Sequence, residues 1–207
     1  MVNAFGIGSL VGFAGRRWRV TAVDDRAKVL EVVAHSSGKI PKFDRLASEP
    51  VHDRLVQEMR TVFLDGAMPA YLDSQAADLL AEGRLAFHKM GLDARRFLQA
   101  GNDTHVLAWR GTAVTSILAV LLSSAGLECE AHDIGVTVAN ASAEDVLALL
   151  AKTPVCPPIE DLAGFVQNLR HAKYDDFLTD DLLRSDWAAR NANYRNAVTQ
   201  VLQELSA

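Results

Sequence analysis

With 207 residues, 49% of them apolar, the chain is long enough to bury a sizeable core as one large domain or two small ones. A net charge of −5 argues against a free-standing nucleic-acid binder, and two cysteines without C-x-x-C spacing supply neither a zinc site nor a disulfide framework. No apolar run approaches a membrane span, and residues 1–11 lack the charged n-region and cleavage site of a signal peptide, so the expected setting is cytoplasmic, with no membrane partner. The charge is uneven. Residues 1–45 carry eight Lys and Arg against four acids, a net of +4, which leaves −9 for the remainder. A basic start on an acidic body points to a localised anionic partner.

In chain order, residues 5–13 read as a first strand whose Gly6, Gly8 and Gly12 mark bends. A hairpin follows. Trp18, Val20 and Ala22 fall on one face by period-two alternation, Arg17, Arg19 and Thr21 on the other. Asp24-Asp25-Arg26 supplies the turn, and residues 28–34 are β-branched and apolar enough for the return strand. Residues 36–41 read as a loop. After Pro50 the spacing becomes helical, with Val51, Leu55, Met59, Val62 and Phe63 on one stripe. Asp73 or Ser74 caps the next helix, which carries Leu79, Leu80, Phe87 and Met90 and stops at Gly91.

A strand over 104–109 leads through Gly111 and a Thr112 cap into a helix bearing Val114, Ile117, Leu118, Leu121 and Leu122. Strands over 128–131 and 134–138 follow, then a helix opened by Ser142, a rigid break at 154–158 and helical stripes to the end. One of those stripes comprises Ile159, Leu162, Phe165, Val166 and Leu169. The class is α+β. A small N-terminal sheet or partial barrel (1–48) precedes an α/β body with a helical C-terminal end (49–207), the two forming either separate domains or one continuous domain.

No phosphate loop of the form G-x-x-x-x-G-K-[ST] is present, and the glycines at 6, 8 and 12 are not followed by the helix a dinucleotide site needs. His52-Asp53 and His132-Asp133 have the letters of metal ligands, but a metal needs three or four convergent groups, and capping and turn roles explain both pairs. Asp175-Asp176 and Asp180-Asp181 stand at helix boundaries, where acids cap. Cys129 and Cys156 have no local base. Two surfaces have the chemistry of anion contact. The first is the hairpin, with Arg16, Arg17 and Arg19 and with Lys28, Lys39 and Lys42 nearby; its other reading is a solvated sheet face. The second is Trp109-Arg110 at a helix entry, where an indole can stack a base and a guanidinium can pair a phosphate; its other reading is a core tryptophan beside a solvated arginine.

Gly15-Arg16-Arg17-Trp18-Arg19-Val20 with Val23-Asp24 resembles the C-terminal accessory region of Lhr-like DEAD/DEAH-box helicases of superfamily two. Further segments resemble that region in the same order: Pro50-Val51-His52-Asp53 with Glu58-Met59-Arg60, Tyr71-Leu72-Asp73 with Leu79-Leu80 and Arg84, Leu107-Ala108-Trp109-Arg110-Gly111, and Lys173-Tyr174-Asp175-Asp176-Phe177-Leu178. The resemblance implies a module that packs on a motor, in cis or in trans, and helps line the path of single-stranded DNA or RNA. ATP and magnesium would belong to the motor, since this chain carries no ATP-binding or catalytic motif. Two other classes stay open, a protein-interaction scaffold without a nucleic-acid role and a hydrolase built from the scattered acids and histidines.

Overall fold

Two compact units, Met1–Glu49 and Pro50–Ala207, make up the chain, and the computed structural model describes residues 6–13, 16–24, 26–27, 29–35, 50–170 and 172–206. In the first unit β1 (Leu10–Phe13), β2 (Arg16–Asp24) and β3 (Val29–Ala34) form an antiparallel meander in the order β1-β2-β3. Its register pairs Leu10 with Arg19, Val11 with Trp18 and Trp18 with Ala34. The alternation expected of β2 holds as far as Val20, which is buried, and a bulge between Val20 and Ala22 then shifts the register. Thr21, the residue left over, spends its hydroxyl on the Glu31 carbonyl. The turn is an Asx turn, in which one Asp24 carboxylate oxygen accepts from the backbone N–H of Arg26 and Ala27. The expected strand at 5–13 is shorter than its pattern: residues 6–9 form a turn, with Gly8 at φ 90°, that hydrogen-bonds to Val20.

The second unit packs helices around a four-stranded antiparallel sheet. Helices α1 (Asp53–Leu64) and α2 (Ser74–Lys89) come first, capped by His52 and Asp73. Strands β4 (Phe97–Ala100) and β5 (Asp103–Val106) are joined to β6 (Cys129–His132) and β7 (Gly135–Val138) by the apolar helix α3 (Thr112–Ser124). The spatial order is β4-β5-β7-β6, so β5 and β6, the two strands flanking α3, run the same way with β7 inserted antiparallel between them. Alternation sets the faces. Thr104, Val106, Val136 and Val138 are buried on one face, while His105 and Thr137 pair on the other, Nδ1 to hydroxyl at 2.8 Å. Helices α4 (Ala143–Lys152), the single turn α5 (Ile159–Leu162), α6 (Asp180–Asn191) and α7 (Arg195–Ser206) complete the unit. Ile117, Leu118, Leu122, Leu150, Ile159 and Leu202 form the centre of the main core.

Three local expectations are corrected. The strand over 104–109 ends at Val106, because the chain beyond it bonds piecemeal, Leu107 N–H to Arg96 and Trp109 N–H to Ile134, and Trp109 has φ 54°. Thr112 does not cap α3: Gly111 is the cap residue, and the Thr112 hydroxyl accepts from the Val51 N–H instead. The stripe drawn from Ile159 to Leu169 breaks after a 3-10 turn, with Phe165 half exposed while Ile159 and Leu162 are buried. β4, a four-residue edge strand, had no sequence signal.

Gly135 is required by close approach, since a Cβ there would overlap the Val106 carbonyl of the paired strand. Gly135→Ala is expected to cost about 3 kcal/mol in urea unfolding, whereas Gly164→Ala, with open space around it, changes stability by less than about 0.5 kcal/mol.

Candidate nucleic-acid interface

The N-terminal sheet offers its candidate surface through strand alternation. Arg17 and Arg19 are two residues apart on β2, ahead of the bulge, and both are exposed, while the intervening Trp18 is half-buried and Val20 is buried. Cross-strand register places Gly12 opposite Arg17, and Leu10 and Val33 opposite Arg19, on the arginine face. His35 extends that face. Its backbone N–H bonds the Arg17 carbonyl, and its Nδ1 accepts a 2.7 Å hydrogen bond from an Arg19 terminal nitrogen. A guanidinium can only donate, so this bond uses the imidazole lone pair on Nδ1 and aims Arg19 without cancelling its charge. Among the described residues no carboxylate forms an ion pair with Arg17 or Arg19. Of the other expected contacts, the Arg16 backbone pairs with Phe13 and its side chain lies outside the described residues, as do Lys28, Lys39 and Lys42. The local sequence pattern does not single out His35. Continuing the hairpin register one step past Ala34 would have placed it opposite Arg17.

Trp109 and Arg110 belong to the other unit and have a different environment from the one expected. The Trp109 side chain is 6% exposed and packs edge-on against Phe87, in a small core with Val56 and Leu107. It has no free face on which a base could stack. Arg110 is 8% exposed and grips Asp53 with two nitrogens, Nε to Oδ1 at 2.8 Å and Nη2 to Oδ2 at 2.7 Å. The Gly111 N–H donates to the same carboxylate at 2.8 Å. The anion that Arg110 and the α3 entry hold is therefore the chain's own Asp53, so Arg110 is neither a solvated residue nor a contact for an external phosphate. Burial pushes the Asp53 carboxyl up, but the hydrogen bonds from Arg110 and Gly111 and the Arg110 charge outweigh it and hold the group below the usual carboxylate range.

The remaining candidate chemistry is dispersed. His52 accepts the Arg54 N–H as a helix cap, and His88 leans on Asp93. Asp180 pairs with Arg170 at 2.7 Å, and Asp181 with Arg184. Among the described residues no three His, Cys, Asp or Glu side chains converge in a metal-ligand group. Cys129 lines a cavity of about 790 Å³ between α3, β6, residues 165–167 and Trp187, and burial pushes its thiol up to about 11. No helix among the described residues is long and apolar enough to cross a membrane. No family model, curated protein or solved structure matches the chain.

Three outcomes follow from these geometries. Asp53→Asn is expected to cost about 3 kcal/mol, because it leaves Arg110 buried without its counter-charge. Since Asp53 is more acidic folded than unfolded, its contribution is present above the unfolded carboxylate's pKa and lost as pH falls through the folded value. The stability gap between wild type and variant, measured in urea, should therefore narrow on acidification below about pH 4. Alkylation of Cys129 should still be accelerating about tenfold per pH unit at pH 9–10, where an ordinary thiol has levelled off.

Proposed function

We propose that this chain is a non-catalytic accessory module whose N-terminal sheet contacts the phosphates of single-stranded nucleic acid, working with a DEAD/DEAH-box motor held in cis or in trans. The observation that carries the reading is the pair Arg17 and Arg19, exposed on one face of β2 with no carboxylate partner among the described residues. A phosphate-binding sheet requires guanidinium groups that are held but not neutralised, and the imidazole of His35 holds Arg19 in that way. The +4 charge of residues 1–45, against −9 elsewhere, supports the same division of labour, with the acidic unit serving as the part that docks on the motor. Any ATP or magnesium would be the motor's.

A protein-interaction scaffold is the second reading. It is favoured by the exposed apolar run around Tyr174, Phe177 and Leu182, in which Phe177 is 84% exposed. On that reading the isolated chain ignores oligonucleotides, and Phe177→Ser abolishes co-purification with a motor protein.

The double variant Arg17→Glu/Arg19→Glu separates the two. Nucleic-acid binding predicts weaker affinity for a single-stranded oligonucleotide and a plot of log K against log salt that is shallower by about 1.4, for two lost phosphate contacts. An unchanged slope removes the sheet from the interface.

A further inference from the structure

A second site, unrelated to the N-terminal sheet, lies where α1, the start of β4 and α7 meet. A cavity of about 230 Å³ is lined there by Arg60, Arg96, Trp109, Arg110, Gln57 and Glu204, among others. Among the described residues, the two fully buried side-chain groups of its lining that lack a hydrogen-bond partner are both donors. They are the Nε–H of Arg60 and the indole N–H of Trp109, which have no partner among the described residues. Trp109 is more than nine-tenths buried and has a left-handed backbone at φ 54°, an uncommon conformation for a bulky residue. Buried donors that remain unpaired are costly, so a group bringing acceptors and no protons is the natural complement.

Charge points the same way. Arg110 is already matched by Asp53, which leaves Arg60 and Arg96 facing, among the described residues of the cavity lining, a single carboxylate, that of Glu204, half exposed and only loosely engaged at 3.5 Å from Arg96. Arg60 otherwise makes one long bond, 3.3 Å, to the Asp93 carbonyl. Burial and then the neighbouring Arg96 charge pull Arg60 below its ordinary pKa, as expected of two guanidinium groups sharing a partly dry space without enough counter-charge. The volume is below the range of sites that enclose a whole cofactor, about 300–1,000 Å³, and suits one compact anionic group.

We infer that the cavity bounded by Arg60, Arg96 and Trp109 binds the phosphoryl group of a small phosphate monoester, with the two guanidinium groups and the indole N–H donating to its oxygens. Glu204 competes with the ligand for Arg96 and sets a ceiling on affinity. This inference stands apart from the polyanion reading of the N-terminal sheet.

The test uses the full chain and inorganic phosphate, with chloride at equal ionic strength as the reference. Phosphate should raise the melting temperature above the chloride value and change the tryptophan emission, and Trp109→Phe should abolish the emission change. Arg60→Gln and Arg96→Gln should each weaken phosphate binding about tenfold or more. Glu204→Gln, at an exposed position that folding tolerates, should tighten it about threefold by removing the competing charge. Arg17→Glu/Arg19→Glu should leave phosphate binding unchanged. Equal responses to phosphate and chloride, wild-type affinity in the Arg60 and Arg96 variants, or weaker binding by Glu204→Gln would each overturn the inference.

Discussion

The larger unit depends on how the chain is held between Val106 and Gly111. Five consecutive residues there, Val106 to Arg110, are buried, and the side chains of the first four alternate between two cores. Val106 and Ala108 enter the main core beneath α3, while Leu107 and Trp109 enter the smaller one with Val56 and Phe87. A segment buried on both sides needs an anchor at its end, because its backbone groups cannot all find ladder partners. Asp53 is that anchor. Its carboxylate takes two donors from Arg110 and one from Gly111, so the first turn of α1 is tied to the entry of α3 across 57 residues of sequence. The tie is reinforced by Val51 and Thr112, which exchange hydrogen bonds in both directions. Val51 packs on the small core, and Arg110 also lines the cavity containing Arg60 and Arg96.

Arginine therefore plays two physically different parts in this protein. In the acidic unit the guanidinium groups are largely spent internally: Arg110 on Asp53, Arg84 on the Val62 and Ala67 carbonyls at the end of α1, Arg170 on Asp180, and Arg195 on the Cys156 carbonyl. In the N-terminal sheet Arg17 and Arg19 point outward, and Arg19 is oriented by a neutral acceptor rather than an acid. A buried bidentate pair stabilises and positions. An exposed, uncompensated guanidinium attracts and costs little to keep in water. The same residue type at Arg19 and at Arg110 thus supports opposite conclusions about external partners.

Much of the architecture was legible because its signals are local. Asp24 turning the hairpin, Asp73 and Ser142 capping helices, and Gly91 ending α2 at φ 68° each act within a few residues of their own position. The opposed placement of Arg17 and Val20 followed from strand period alone. What was not legible is long-range. Nothing near Arg110 announces that its partner is Asp53, and nothing near Thr112 announces that its hydroxyl serves Val51 rather than its own helix. β4 was invisible because Phe97-Leu98-Gln99-Ala100 neither alternates nor carries β-branched residues; its pairing with β5 alone makes it a strand. The convergence of Arg60 with Arg96 has the same origin, since α1 and β4 are brought together only by the finished fold.

We propose that this molecule meets nucleic acid through the arginine face of its small sheet, by attraction and without turnover. Amide chemical-shift mapping during titration with a single-stranded oligonucleotide decides the matter. The largest shifts are expected on residues 16–24 and 29–35, including His35, while the amides of Trp109, Arg110 and Gly111 stay in place. Shifts centred on residues 107–112, or none anywhere at saturating oligonucleotide, would rule out the sheet as the binding face.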